Sequence, residues 1–216
     1  MCDAAVLSAV GVGPDGRRRV LGVSVAVFEA EVHWRAFLED LVARGMRGVQ
    51  FVTSDDHAGL EAARKAVLGG AVWQRCQFHL AQNAIHHAPN VQIRKCIGSQ
   101  LREIWNAKNL ATAEAELKCL VEAHRKNAPE LAAWLEVAIP EGLAVFTLPE
   151  HHRKRMRTSN PIERAVQQEL KRRTVKVRVF PNSASLLRLV TAVLVEIDET
   201  WQASTQPYIN WNTPDA

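Results

Sequence analysis

A chain of 216 residues, 47% apolar and 23% charged, has enough apolar content to bury a sizeable core and is unlike a disordered polymer. Four cysteines in so long a chain are too few for a disulfide scaffold, which points to a reducing, cytoplasmic setting. The longest apolar runs, such as Ala4 to Val12, are too short to cross a bilayer, and residues 1–20 lack the basic start of a leader, so no membrane partner is expected.

In chain order, Ala4 to Val12 and Arg19 to Val27 are Val-rich runs separated by Gly13-Pro14-Asp15-Gly16, which predicts a β-hairpin. Val32, Ala36, Phe37 and Leu41 recur at helical spacing between Glu29 and Arg44, and Gly45 follows as a stop. A short strand over Gly48 to Thr53 runs into Ser54-Asp55-Asp56. A helix from His57 to Leu68 closes at Gly69-Gly70, and Ala71 to Cys76 is one more strand.

This alternation is that of an α/β sheet with at least one crossover helix. From Gln77 to Glu150 the pattern changes to helices without strands, around Ile93 to Trp105, Ala111 to His124 and Glu130 to Val137. Two further helices, Pro161 to Arg173 and Ser183 to Trp201, flank Val175 to Phe180. The expected division is 1–76 as the first part of a core, 77–150 as a helical insertion, 151–201 as the final core helices and 202–216 as a peripheral tail. Trp34, Trp105 and Trp134 lie within helical patterns and read as core residues.

The net charge is only +4, but His151 to Arg178 holds ten cations, namely Arg153, Lys154, Arg155, Arg157, Arg164, Lys171, Arg172, Arg173, Lys176 and Arg178. Glu163 and Glu169 are the only acids there, so this stretch carries +8 and the remainder −4. Such clustering fits a polyanionic partner; a solvated helix face is the ordinary alternative.

Asp55 stands where an apolar strand meets a helix, the position from which a side chain enters the crevice at the carboxyl end of a sheet. Capping is the competing role, which Asp56, nearer the helix start, would serve better. Glu163 occupies the third helical position after Asn160 and Pro161, where a capping-box glutamate sits. At about 100° per residue it also lies within about 20° of Leu170, beside the Ile162, Val166, Leu170 stripe. An acid leaning toward a core needs a partner, and a divalent ion can be one. Glu169, on the other border of the stripe, is its rival.

Cys76 and His79 form a Cys-x-x-His pair, half of a structural zinc site. No second close pair is evident, and His86, His87, His151 and His152 could contribute only through the fold. A structural role, or support of neighbouring ligands, is therefore preferred to zinc.

The succession Ser54-Asp55-Asp56-His57-Ala58-Gly59-Leu60, Trp73-Gln74-Arg75-Cys76-Gln77-Phe78-His79 and Thr158-Ser159-Asn160-Pro161-Ile162-Glu163-Arg164, leading to Lys171-Arg172-Arg173-Thr174, resembles the signatures of the mutator-type DNA transposase family. Val179-Phe180-Pro181-Asn182 and Leu187-Arg188-Leu189-Val190 extend the resemblance over nearly the whole chain. It implies a ribonuclease-H-like mixed sheet with flanking helices and a helical insertion, and an Asp, Asp, Glu triad holding two Mg²⁺ or Mn²⁺ ions. Asp55 matches the second aspartate and Glu163 the glutamate, while Cys76 and His79 match the Cys-x-x-His signature.

The resemblance also implies action on transposon ends and target DNA, and a homo-oligomer at full length. The family's first aspartate belongs to a strand upstream of the segment matching Ala4 to Arg19. Asp3 sits at the beginning of the second strand and not on the first, so the expectation is a truncated transposase that does not cleave DNA alone. The alternatives are a catalytically inactive DNA-binding remnant and an adaptor built on structural zinc at Cys76 and His79.

If the basic segment contacts phosphates, neutralising Lys171, Arg172 and Arg173 together weakens DNA binding whatever the sequence. The slope of log K against log salt then flattens by about 0.9 per lost contact on duplex DNA. Affinity unchanged in the triple variant across a salt titration leaves the cluster as a solvated face.

Overall fold

The computed structural model describes residues 4–159, 166, 168, 169, 172, 173, 180 and 182–212. The element order is β1 (Ala5–Val12), β2 (Arg18–Ala26), α1 (Glu31–Ala43), β3 (Phe51–Ser54), α2 (Ala58–Val67), β4 (Val72–Arg75), α3 (Gln77–His87), α4 (Val91–Trp105), α5 (Leu110–His124), α6 (Pro129–Ala138), α7 (Glu150–Met156) and α8 (Ser183–Gln202). Two 3-10 turns, Ile139–Gly142 and Ala144–Thr147, lie between α6 and α7. The chain is thus mixed α/β, and its described residues divide into two compact units: 4–50, 56–71 and those between 166 and 212 form one, and 51–55 with 72–159 the other.

In the first unit the β1–β2 hairpin is antiparallel, and Leu21 is an extra residue where the register shifts between Ala9 opposite Gly22 and Val10 opposite Val20. The Val20 N–H beside this bulge donates to Asp198 Oδ1 of α8 at 2.7 Å, so α8 supplies an acceptor the irregular ladder needs. Strand alternation sorts the apolar residues onto two faces. Leu7, with Ala5 and Ala9, packs with Phe37, Leu38 and Leu41 of α1 and Ala63 of α2. Val6, Val20 and Val23 pack against Val190, Val193, Leu194 and Ile197 of α8.

The C-terminal tail, largely exposed, is tied to the hairpin turn at a few points. Ile209 is buried, its N–H and that of Tyr208 donate to Gly16 O at 3.1 and 2.8 Å, and the Trp211 indole donates to Gly13 O at 2.8 Å. Gly16 has φ 72°, and a Cβ there would stand 1.8 Å from Ile209 O, so this turn accepts the tail only as glycine. Arg18 adds a guanidinium between the Trp201 and Tyr208 rings, 4.3 and 4.4 Å from their centroids.

In the second unit β3 and β4 pair in parallel, Phe51 opposite Val72 through Ser54 opposite Arg75. One mixed sheet was the expectation. Among the described residues the strands instead form two two-stranded sheets, because no described strand bonds the second edge of β1 or of β3. Residues 77 to 147 contribute helices and 3-10 turns around a core containing Leu80, Ile97, Leu101, Ile104, Leu131 and Leu135. Asn90 and Asn109 cap α4 and α5 by accepting from Ile93 N–H and Thr112 N–H at 3.0 and 2.9 Å. The sequence reading of helix 161–173 falls mostly outside the described residues, as does that of the segment 175–180. No helix among the described residues is long and apolar enough to cross a membrane.

A buried amide network ties β4 to the 3-10 turns. The Gln74 side chain, fully buried, donates to Arg75 O at 2.7 Å and Gly142 O at 2.8 Å and accepts from Val145 N–H at 2.6 Å. Gln77 Nε2 donates to the same Gly142 O at 2.8 Å. A Cβ on Gly142 would meet a Leu80 methyl at 2.6 Å and the Trp105 ring at 3.2 Å, so a side chain there would have to displace the packing beside this carbonyl. Gln74→Leu keeps the volume but orphans the buried Val145 N–H. It is expected to lower stability by about 1–3 kcal/mol in urea unfolding followed by tryptophan fluorescence, whereas an unchanged midpoint disproves the role of this network.

Candidate functional site

The parallel register determines what meets at the end of the β3–β4 pair. Ser54 lies opposite Arg75, and the Cys76 N–H donates to Ser54 O at 2.8 Å, so Asp55 and Cys76 leave adjacent strands at one level. Cys76 is the residue before α3 and His79 stands in its first turn, which brings the two side chains of the Cys-x-x-His pair to one side. Asp55 Oδ1 is buried against His79 Nδ1, and the two groups form an ion pair. The Asp55 side chain as a whole keeps 44% exposure, so its second oxygen is the one presented outward.

The backbone after α7 completes the wall. Gln77 N–H donates to Arg157 O at 3.0 Å and the Thr53 hydroxyl donates to Met156 O at 2.6 Å. These bonds hold the segment that brings Ser159 beside the Cys76 thiol. Trp73 acts from the other direction, its indole donating at 2.9 Å to the Ser54 hydroxyl, which itself donates to Asp55 O at 3.0 Å. Residues from three separate sequence motifs therefore share one site.

The charges follow from this geometry. The hydrogen bonds that His79 donates to Asp55 and to Cys76 outweigh the cost of burial and push its pKa up to about 10. Burial pushes the Cys76 thiol up, but hydrogen bonds with His79 and Ser159 together exceed that effect and hold it below its ordinary value. Donor atoms of Asp55, Cys76 and His79 lie within 4.8 Å of one another, and this is the one group of three such residues among those described. His86, His87, His151 and His152 do not join it; the His87 ring stacks on Trp134 at 4.8 Å, and the His151 and His152 rings contact each other.

Several sequence readings acquire particular surroundings. The cap of α2 is His57, whose Nδ1 accepts from Leu60 N–H at 3.4 Å, and not Asp56. Glu163, Arg164, Lys171, Lys176 and Arg178 lie outside the described residues. Arg153 donates to Leu148 O and Lys108 O, both at 2.9 Å, and Arg157 to Trp105 O at 3.2 Å and Asn106 Oδ1 at 2.8 Å. Arg172 donates to Glu169 Oε2 at 2.8 Å and Arg173 to Glu196 Oε1 at 2.8 Å. Lys154 and Arg155 are exposed on α7. Trp105 is buried in the helical core, Trp134 packs against it, and Trp34 packs beside Phe37.

The site residues that sequence reasoning does not single out are Ser159, Gln74, two positions before Cys76, and Gln77, inside the Cys-x-x-His motif. Their polarity within an apolar strand-to-helix passage was the available signal.

In the metal-free chain His79 is expected to remain protonated through neutral pH. Because its folded pKa is raised above the ordinary 6.5, its contribution to stability is fully present below that value and lost as pH rises through about 10. Asp55→Asn removes the largest cause and draws the His79 midpoint down toward 6.5, as read from the ring Cε1–H resonance in an NMR titration. A midpoint near 6.5 in the unaltered chain shows that the pair does not form.

Residues 1–204 match the family model described as Transposase, Mutator family. The chain is 50% identical over 210 residues to the transposase for insertion sequence element IS406 of Burkholderia multivorans, covering 97% of this chain and 54% of that protein. It is 42% identical over 206 residues to the transposase for insertion sequence element ISRM5 of Rhizobium meliloti, covering 95% and 51%. Against the transposase for insertion sequence element IS256 in transposon Tn4001 of Staphylococcus aureus the identity is 30% over 206 residues, covering 94% and 52%. The chain spans about half the length of the curated relatives it matches. The family model extends over nearly the whole chain and includes every residue of the Asp55, Cys76, His79 and Ser159 site, so the chain belongs to the Mutator family of transposases.

Proposed function

We propose that this chain carries part of the catalytic centre of a DNA transposase, a phosphoryl-transfer enzyme that cuts transposon ends and joins them to target DNA using Mg²⁺ or Mn²⁺. Asp55 and Glu163 are its carboxylate ligands. The observation that carries this reading is the convergence of Asp55 with His79, Cys76 and Ser159 at the β3–β4 strand ends. Ser159 is four residues before Glu163 in the sequence, within the same motif.

The residues fit such an ion. A hard divalent cation takes oxygen ligands, and Asp55 offers one carboxylate oxygen outward while His79 fixes the other. His79 and Cys76 are positioning residues, since a carboxylate held by a charged imidazole presents its outer oxygen in one orientation. The chemistry such ions supply when bound is activation of water or a 3′-hydroxyl and stabilisation of the leaving oxygen. The carboxylate of Glu169 is engaged by Arg172, which favours Glu163 over Glu169 as the further ligand.

In this reading the fold is of the ribonuclease-H type, with 77–150 as a helical insertion between 1–76 and 151–201, and the full-length protein is a homo-oligomer. The basic segment binds DNA phosphates, with Lys154 and Arg155 presented to solvent. Arg153 and Arg157 bridge to backbone carbonyls of the helical unit, so their loss also weakens the fold.

The test exchanges the matching segment of the IS406 transposase for this chain and measures cleavage of an end-bearing duplex by the fusion protein in Mg²⁺ or Mn²⁺. Asp55→Asn and Glu163→Gln are each expected to reduce cleavage by orders of magnitude, corresponding to several kcal/mol of lost transition-state stabilisation, while DNA binding persists. Cleavage that survives Glu163→Gln but not Glu169→Gln moves the ligand to Glu169, and cleavage indifferent to Asp55→Asn removes the proposed centre.

A further inference from the structure

We infer that Asp55, Cys76 and His79 also form a binding site for a soft divalent cation of the zinc class, one that captures the same carboxylate the catalytic Mg²⁺ or Mn²⁺ would use. The binding half of this inference stands on the three side chains alone. Its consequence, competition between soft and hard ions, rests on the proposed catalytic role of Asp55.

The donor set decides the class of ion. A thiol, an imidazole and a carboxylate supply sulfur, nitrogen and oxygen, the mixture zinc accepts, whereas Mg²⁺ takes oxygen at near-octahedral geometry and gains nothing from a buried thiol. Zinc binds sulfur at about 2.3 Å, nitrogen at about 2.0–2.1 Å and oxygen at about 2.0–2.2 Å, which sets tetrahedral donors about 3.4–3.6 Å apart. The three donor atoms already lie within 4.8 Å of one another, so side-chain rotation alone can close the set.

The backbone around them is fixed. Asp55 and Cys76 leave neighbouring strands joined by the Cys76 N–H to Ser54 O bond, and His79 stands one helical turn beyond Cys76. Sequence spacing alone offers half a zinc site; the strand register brings Asp55 in as the third donor.

The burial pattern distinguishes an exchangeable site from a closed structural one. Cys76 is 0% exposed and the His79 side chain 23%, while Asp55 opens to solvent at 44%. Three protein donors with one open side leave the fourth position to water, the arrangement of accessible zinc sites, whereas structural sites close with four protein ligands. Ser159 lies beside the thiol and lowers its pKa, so it borders the sulfur side of the site.

The experiment uses the reduced, metal-free chain with Co²⁺ as a visible stand-in for zinc. One equivalent of Co²⁺ is expected to give sulfur-to-cobalt charge-transfer absorption together with the intense d–d bands of a tetrahedral ion. Zn²⁺ should bleach both, and excess Mg²⁺ should not. Cys76→Ser abolishes the charge-transfer band, and His79→Ala and Asp55→Asn each weaken binding about tenfold or more. Cys119→Ser, at an exposed cysteine, leaves the spectrum unchanged.

X-ray absorption of the zinc-loaded unaltered chain provides a reading that does not depend on a variant folding: one sulfur with nitrogen or oxygen neighbours is expected. A shell without sulfur, or a charge-transfer band that persists in Cys76→Ser, overturns the site. In the second arm, Zn²⁺ is titrated into Mg²⁺-dependent cleavage by the fusion protein, and inhibition is expected that shifts about tenfold or more to higher zinc in Cys76→Ser, relative to that variant's own zinc-free rate. Cobalt spectra as expected with no Mg²⁺-dependent cleavage overturn the proposed function and leave the soft site standing. Cleavage without a cobalt–sulfur signature overturns the soft site alone, and both together without zinc inhibition overturn the competition.

Discussion

Parallel pairing of β3 with β4 is the constraint on which the site depends. Each strand has only four residues, so a shift of one position would move Asp55 about 3.3 Å relative to Cys76 and reverse the face on which neighbouring side chains emerge. The Cys76 N–H to Ser54 O bond extends the ladder one step past the last strand residues and anchors the point where β4 turns into α3. With that step fixed, His79 needs no further adjustment to reach Asp55. A short strand pair thus sets the spacing of the chemistry, and its own small hydrogen-bond ladder is a weak reason for it to persist.

What holds so short a pair in register is buried and polar. Gln74 and Gln77 share the Gly142 carbonyl, Gln74 also accepts from Val145 N–H, and Arg75 pairs with Glu141 at 2.8 Å from a side chain only 7% exposed. Partners of this kind select one register more sharply than apolar contacts would, because a slip strands several buried donors and acceptors at once. The two 3-10 turns are then more than a connection between α6 and α7. They are the frame against which β4 is indexed, and the helical core of Leu80, Ile97, Leu101 and Leu135 holds that frame in place.

The helices were legible because their information is local. Asn90, Asn109 and Asn182 each stand before an apolar-periodic run, and each accepts a hydrogen bond at the helix start. The hairpin was legible from Gly13-Pro14-Asp15-Gly16. Strand pairing was not, since alternation predicts which residues share a face but not which strand lies alongside. The Cys-x-x-His pair appeared to lack ligands because its third donor, Asp55, lies 21 positions before Cys76 and arrives only through the β3–β4 register. The anchor of the tail was hidden for the same reason: Ile209 is buried, and its N–H bonds to Gly16 O, a contact across nearly the whole sequence that no local pattern signals. Capping of α2 by His57, where Asp56 was expected, reflects the imidazole Nδ1 serving as an acceptor that the usual ranking of cap residues places low.

The surroundings of Asp55 put two demands on one carboxylate. A group that binds a hard ion by its outward oxygen is best held rigidly on its inner one, and a charged imidazole does this well because the pair is half-sheltered from solvent. The same imidazole, once it gives up its proton, is itself a ligand, and the thiol that supports it is another. Holding Asp55 in place with Cys76 and His79 therefore brings soft donors within reach of the hard one. An asparagine or glutamine partner could orient the carboxylate without that side effect, but it would supply no positive charge to offset the negative charge that accumulates around phosphate and carboxylate together. On the role proposed for Asp55, the imidazolium meets that electrostatic need, and the proposed sensitivity to thiophilic metals follows from meeting it with histidine supported by cysteine.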